Sequence, residues 1–86
     1  MGIAIVDDQG QERTQIKKQL EEQLFQNDIR TDLLEFENAE TFLQAAQTKL
    51  FAIAFLDIYM EGTSSIMAAR KLRQSDSNCL LVFSQP

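Results

Sequence analysis

Cysteine is almost missing from this 86-residue sequence: the single Cys79 permits no internal disulfide, and a reducing cytoplasm is the compartment it implies. Cys79 lies in an apolar run, where a small buried side chain is its ordinary role. Proline occurs once and glycine three times, while 44% of residues are hydrophobic and 24% charged. That balance excludes a disordered segment and fits one compact domain, with a core small enough to make stability marginal. Basic residues are also few, 8 Lys and Arg against 13 Asp and Glu, for a formal net charge of −5. Direct binding to a nucleic-acid backbone needs clustered cations and is excluded. The pairs Lys17-Lys18 and Arg70-Lys71 read as solvated helix faces. No apolar run approaches the ~20 residues that span a bilayer, and no basic region followed by a long apolar stretch opens the chain. A soluble protein without a membrane partner is expected.

What the chain does contain is two apolar runs that end in acid: Ile3-Ala4-Ile5-Val6-Asp7-Asp8 and Phe51-Ala52-Ile53-Ala54-Phe55-Leu56-Asp57. Both read as buried parallel strands. Ligands of open α/β sheets bind outside the carboxyl ends of the strands, so Asp7, Asp8 and Asp57 would share one pocket if these strands are neighbours. Three carboxylates repel one another unless a proton or cation joins them, and a hard divalent ion with oxygen ligands, Mg²⁺ first, is the usual solution.

Between and after these runs the pattern alternates. Ile16, Leu20 and Leu24 at four-residue spacing predict an amphipathic helix that ends at Asn27 and Asp28. Residues 31 to 36 suit a short edge strand. Asn38 is a plausible helix N-cap, with Ala39, Phe42, Leu43 and Ala46 as the apolar stripe behind it. After the strand over residues 51 to 57 come a turn at 59 to 64, a helix carrying Ile66, Ala69 and Leu72, a break at 75 to 78, and a last strand at 79 to 83. The order β-α-β-α-β-α-β predicts a parallel sheet with right-handed crossovers and helices on both faces.

The run from Phe55 to Arg73, taken with Val6-Asp7-Asp8, closely resembles the phosphoacceptor segment of bacterial response-regulator receiver domains. Leu56-Asp57-Ile58-Tyr59-Met60 before a glycine, and Ala68-Ala69-Arg70-Lys71 after it, are especially similar to receivers that precede LytTR-type DNA-binding domains. The resemblance extends in order from residue 3 to residue 83. It implies a flavodoxin-like (CheY-like) fold with strand order 2-1-3-4-5. By the same resemblance Asp57 is the aspartate that is phosphorylated, Asp8 a direct Mg²⁺ ligand, Asp7 its acidic neighbour, and Tyr59 the residue whose backbone carbonyl completes the metal site. The implied partner is a sensor histidine kinase, and the implied output is transcriptional. The domain would be no enzyme beyond accepting its own phosphoryl group.

Departures from the receiver pattern are equally specific. Glu61, Ser65 and Met67 stand where receivers usually have Pro, Gly and a polar or acidic residue. A hydroxyl that bonds the phosphoryl group is expected at the end of the fourth strand; spacing favours Gln85 for that place, with Ser84 one residue early and pointing to the other side of the strand. A receiver continues through a fifth strand bearing a Lys and through two more helices, and this sequence ends at Pro86. Lys17, Lys18, Lys49 and Lys71 all fall on or beside helices. The expectation is thus an incomplete receiver whose fourth strand is an exposed edge, to be covered by a second copy or by another chain. An alternative is a degenerate receiver that binds a partner without phosphorylation. A Mg²⁺-dependent phosphatase would want an Asp-x-Asp pair, and Tyr59 occupies its second place.

Overall fold

The computed structural model describes residues 1–57, 65–74 and 78–84, apart from the side chains of Ser65 and Ser84. Strand β1 is Gly2–Val6, helix α1 Gly10–Gln26, β2 Asp32–Phe36, α2 Ala39–Ala46, β3 Phe51–Asp57, α3 Ser65–Gln74 and β4 Leu80–Ser84. The strands form one parallel sheet in the order β2-β1-β3-β4. The chain therefore winds one way from β1 to β2 and the other way through β3 to β4, as a flavodoxin-like sheet does.

Position in the sheet explains each strand's composition. Every residue of β1 is buried, because a central parallel strand has cover on both faces and reads as a continuous apolar run. β2, at the edge, shows exposed Asp32 and Glu35 between half-buried leucines and Phe36. In β3, Ala54 and Leu56 are fully buried, whereas Ile53 and Phe55 on the opposite face are half-buried.

One buried cluster lies on one face of the sheet. Ala4, Val6, Ala54 and Leu56 meet Ala39 and Phe42 of α2, Ala68 and Leu72 of α3, and Cys79. Phe36, Phe42 and Phe51 form an aromatic triad with ring centroids 5.5 to 6.0 Å apart. Such pairs contribute about 0.5–1.5 kcal/mol each beyond the area they bury. On the other face α1 packs against β1 with Ile16, Leu20 and Leu24 half-buried. Register pairs Ile53 with Leu80 and Phe55 with Val82, and Leu80 on β4 is 59% exposed.

Local chemistry sets the helix ends. Asn38 caps α2, its Oδ1 accepting from the Thr41 N–H at 2.8 Å, as its sequence position predicts. At the end of α1 the Ile29 N–H bonds the Leu24 carbonyl at 2.9 Å and the Asp28 N–H bonds the Phe25 carbonyl at 3.2 Å. This is a Schellman closure with Asp28 at φ 54° in the left-handed position, where glycine is usual.

Two sequence expectations shift. The buried stripe of α3 is Ala68 and Leu72, one turn apart, while Ile66 is 54% exposed. The last strand begins at Leu80 rather than Cys79, and burial pushes the Cys79 thiol up from its ordinary value, in keeping with a packed apolar side chain. The expected turn at 59 to 64 and most of the break at 75 to 78 lie outside the described residues. Among the described residues no helix is long and apolar enough to cross a membrane.

Candidate functional site

Asp7 and Asp57 leave the sheet side by side. Val6 pairs in register with Leu56, so each aspartate stands at the carboxyl end of one of two adjacent strands, where the winding of the sheet reverses. Asp7 is 1% exposed and Asp57 8%. The backbone of Asp7 is tied twice: its N–H bonds the Phe36 carbonyl at 3.0 Å, and its carbonyl accepts from Arg13 Nη1 at 2.6 Å. Its side chain is oriented by the Gln9 N–H, which donates to Oδ1 at 2.8 Å. This short side-chain-to-backbone bond closes an Asx-type turn that carries the chain from strand to helix.

The third carboxylate is one that sequence spacing alone did not single out. Glu12, in the first turn of α1, joins Asp7 and Asp57, with one carboxylate oxygen from each residue lying within 4.8 Å of the others. Asp8 is exposed and stands outside this group. The signal for Glu12 was an acidic residue in the first turn of the helix that follows an acidic strand end.

Electrostatics follow from that crowding. The Asp7 carboxyl is pushed up from 3.8 to about 6, first by burial, then by its hydrogen bond to Glu12 and by the charges of Asp57 and Glu12, against the opposing pull of the Gln9 N–H. Nearby cations have other partners: Arg13 Nε and Lys17 Nζ each lie 3.6 Å from the Glu35 carboxylate. Lys49 pairs with Asp32 at 3.7 Å, at the opposite end of the sheet. Glu12, Asp7 and Asp57 offer oxygen only, the donor set that suits Mg²⁺ and fits the cofactor expected from the sequence.

Of the other residues singled out in the sequence, Ser84 closes β4 in register with Asp57. Tyr59, Glu61 and Gln85 lie outside the described residues. Met67 is 47% exposed on α3.

The fold is that of a response-regulator receiver, a four-stranded parallel sheet flanked by three helices among the described residues. A crystal structure of a response regulator receiver protein from Pseudomonas putida superposes with a TM-score of 0.72 over 96% of this chain, at 20% sequence identity. This chain spans 65% of the length of that structure. No family model matches the sequence, and no curated protein does.

Proposed function

We propose that this chain is a receiver-type phosphoacceptor domain of two-component signalling, in which Asp57 takes a phosphoryl group from a phosphohistidine of a sensor histidine kinase. The observation that carries this reading is the meeting of Asp57 with Asp7 and Glu12 at the reversal point of a receiver fold. Asp7, Asp57 and Glu12 would hold Mg²⁺, with Asp8 and the Tyr59 carbonyl as further ligands by resemblance to receivers. A bound Mg²⁺ supplies neutralising charge at the transferring oxygens.

The chain's own residues do the rest. A carboxylate oxygen of Asp57 attacks phosphorus as the bond from phosphorus to the imidazole nitrogen breaks, and the histidine leaves with the electron pair. Burial of Asp57 at the end of a rigid strand fixes the attacking oxygen and limits the water that would hydrolyse the acyl phosphate. The Gln9 N–H and the Arg13 guanidinium hold Asp7 in place beside it. Ser84 lies in register with Asp57, one residue before the place that spacing gives to the receiver hydroxyl. The domain acts as a substrate for phosphotransfer in the cytoplasm, and its output is transcriptional control through a partner domain or chain.

Intact-mass analysis after incubation with Mg²⁺ and acetyl phosphate tests this directly. One phosphoryl adduct is expected on the wild type and none on Asp57→Ala. No adduct on wild-type protein shown to be folded by circular dichroism would overturn the phosphoacceptor reading. The second reading, a receiver-like module that binds a partner without phosphate, would then stand. It is favoured by the exposed Leu80 and Phe83 of β4, 59% and 40% accessible.

A further inference from the structure

We infer that the end of the sheet opposite the acidic pocket is a surface through which this chain pairs with a second copy of itself, an inference independent of the phosphoacceptor reading. Phe25, on the last turn of α1, is 86% exposed, and Met1, Ile29 and Leu50 are exposed as well. Their places in the fold bring them to one end. The Leu50 carbonyl accepts from the Gly2 N–H at 3.0 Å and the Met1 carbonyl accepts from the Thr31 hydroxyl at 2.6 Å, just before β3, β1 and β2 begin. Between α1 and the start of β2, Met1, Phe25 and Ile29 line an open groove of about 580 Å³, with Glu21 and Arg30 on its walls.

Single exposed apolar side chains are ordinary on a protein surface, whereas a group gathered at one end marks a place of contact. Phe25 alone leaves in water most of the roughly 150–250 Å² that an aromatic side chain can bury. The group is also held ready. The Asp28 N–H bonds the Phe25 carbonyl and the Ile29 N–H bonds the Leu24 carbonyl, so the backbone that carries Phe25 and Ile29 is already fixed and little ordering is left to lose on association.

Charge selects the occupant. Two chains of net charge −5 repel each other, most strongly if their acidic pockets face. At this end the charges on the groove balance: Lys49 pairs with Asp32 at 3.7 Å, and Arg30 offsets Glu21. Arg30 and Glu21 share the groove, yet neither has an ion-pair partner among the described residues. The last turn of α1 holds no basic residue, so the helix end adds its own negative field beside Glu21. A two-fold axis through the groove sets Arg30 of each copy against the partner's Glu21 and closes both pairs from one self-complementary patch. Such a contact belongs to the small interfaces, under about 1,200 Å² in total, that associate weakly. It leaves the two acidic pockets at the far ends of the pair, open to a phosphodonor.

Sedimentation velocity over a range of concentrations tests the inference, with Leu80→Lys run beside the wild type because it takes the β4 edge out of play. Leu80→Lys should still dimerise as concentration rises. Adding Phe25→Glu should weaken that dimer roughly ten-fold or more, and the exposure of Phe25 means that the core is untouched. Glu21→Arg and Arg30→Glu should each weaken it by setting like charges together, and the two combined should restore it, because the exchanged pair is again complementary. Restoration by the double exchange is a result that docking of a different protein, or of a further segment of chain, does not produce. A Leu80→Lys protein that stays monomeric at every concentration, a dimer indifferent to Phe25→Glu, or a double exchange as weak as either single one would overturn the inference and leave the phosphoacceptor reading as it stands.

Discussion

Arg13 donates from Nη1 to the backbone carbonyl of Asp7 at 2.6 Å, so the first helix is fastened to the tip of the central strand at the residue next to Glu12. The same guanidinium reaches the Glu35 carboxylate at 3.6 Å, which ties α1 to the edge strand as well. One side chain thus spans β1, α1 and β2 around the acidic pocket.

Arg13→Met keeps the aliphatic stem and removes both polar contacts. A charged donor to a carbonyl contributes about 1.5–3 kcal/mol when buried and less when partly solvated, so the urea midpoint should fall by the equivalent of about 1–2 kcal/mol. Lys17 remains to pair with Glu35 in that variant, at 3.6 Å. A midpoint unchanged from wild type would show that the Asp7 carbonyl is equally well served by water.

The raised Asp7 carboxyl makes a pH prediction with a definite sign. Its folded value of about 6 lies above the ordinary 3.8. Between those values the folded chain keeps a proton that the unfolded chain has released. Stability from this group is therefore fully present below about 4, falls as pH rises toward 6, and is lost above it. At about 1.4 kcal/mol per pH unit, the penalty at neutral pH is on the order of 2–3 kcal/mol. Asp7→Asn, without divalent cation, should be close to wild type in stability at pH 4 and more stable at pH 7.5. Chemical denaturation at the two values checks it, and a mutant advantage that does not grow with pH would contradict it.

Asp28 stands in a left-handed conformation at φ 54° in the closure of α1. A side chain there costs about 1 kcal/mol relative to glycine, less what an aspartate recovers by local hydrogen bonding. Asp28→Gly should raise the melting temperature by a few degrees, about 0.5–1 kcal/mol, and leave Mg²⁺ affinity untouched.

Leu80 is 59% exposed on β4, the outermost strand on its side among the described residues. A charged residue on a free strand edge discourages pairing with another chain. Leu80→Lys should lower any concentration-dependent association seen in sedimentation velocity. Association equal in the two proteins would move attention to a surface other than this edge.

Much of this architecture was legible because parallel strands advertise themselves. β1 and β3 are continuous apolar runs, and each meets its acidic residue where the run stops, so Asp7 and Asp57 could be placed at one end of the sheet from the sequence alone. Asn38 was legible as a cap because its side-chain oxygen can do little else ahead of an apolar stripe. Glu12 was not, since its reach depends on how α1 sits on β1, a tertiary fact that no spacing encodes. For the same reason spacing could not tell that Asp7 is buried beside Asp57 while Asp8 is exposed. In α3 the sequence favoured the bulkier Ile66, yet the residues that join the buried cluster are Ala68 and Leu72.

The pairing of β1 with β3 also has a consequence for how this chain is made. Ile3 lies in register with Ile53 and Ile5 with Phe55, so the apolar first strand has its central partner only after some fifty further residues have been added. At about 5–20 residues per second on the ribosome, that strand waits several seconds before the pairing that buries it can form. Until β3 emerges, Ile3 to Val6 has only β2 to pair with, and one flank of this apolar strand stays open to whatever the nascent chain meets.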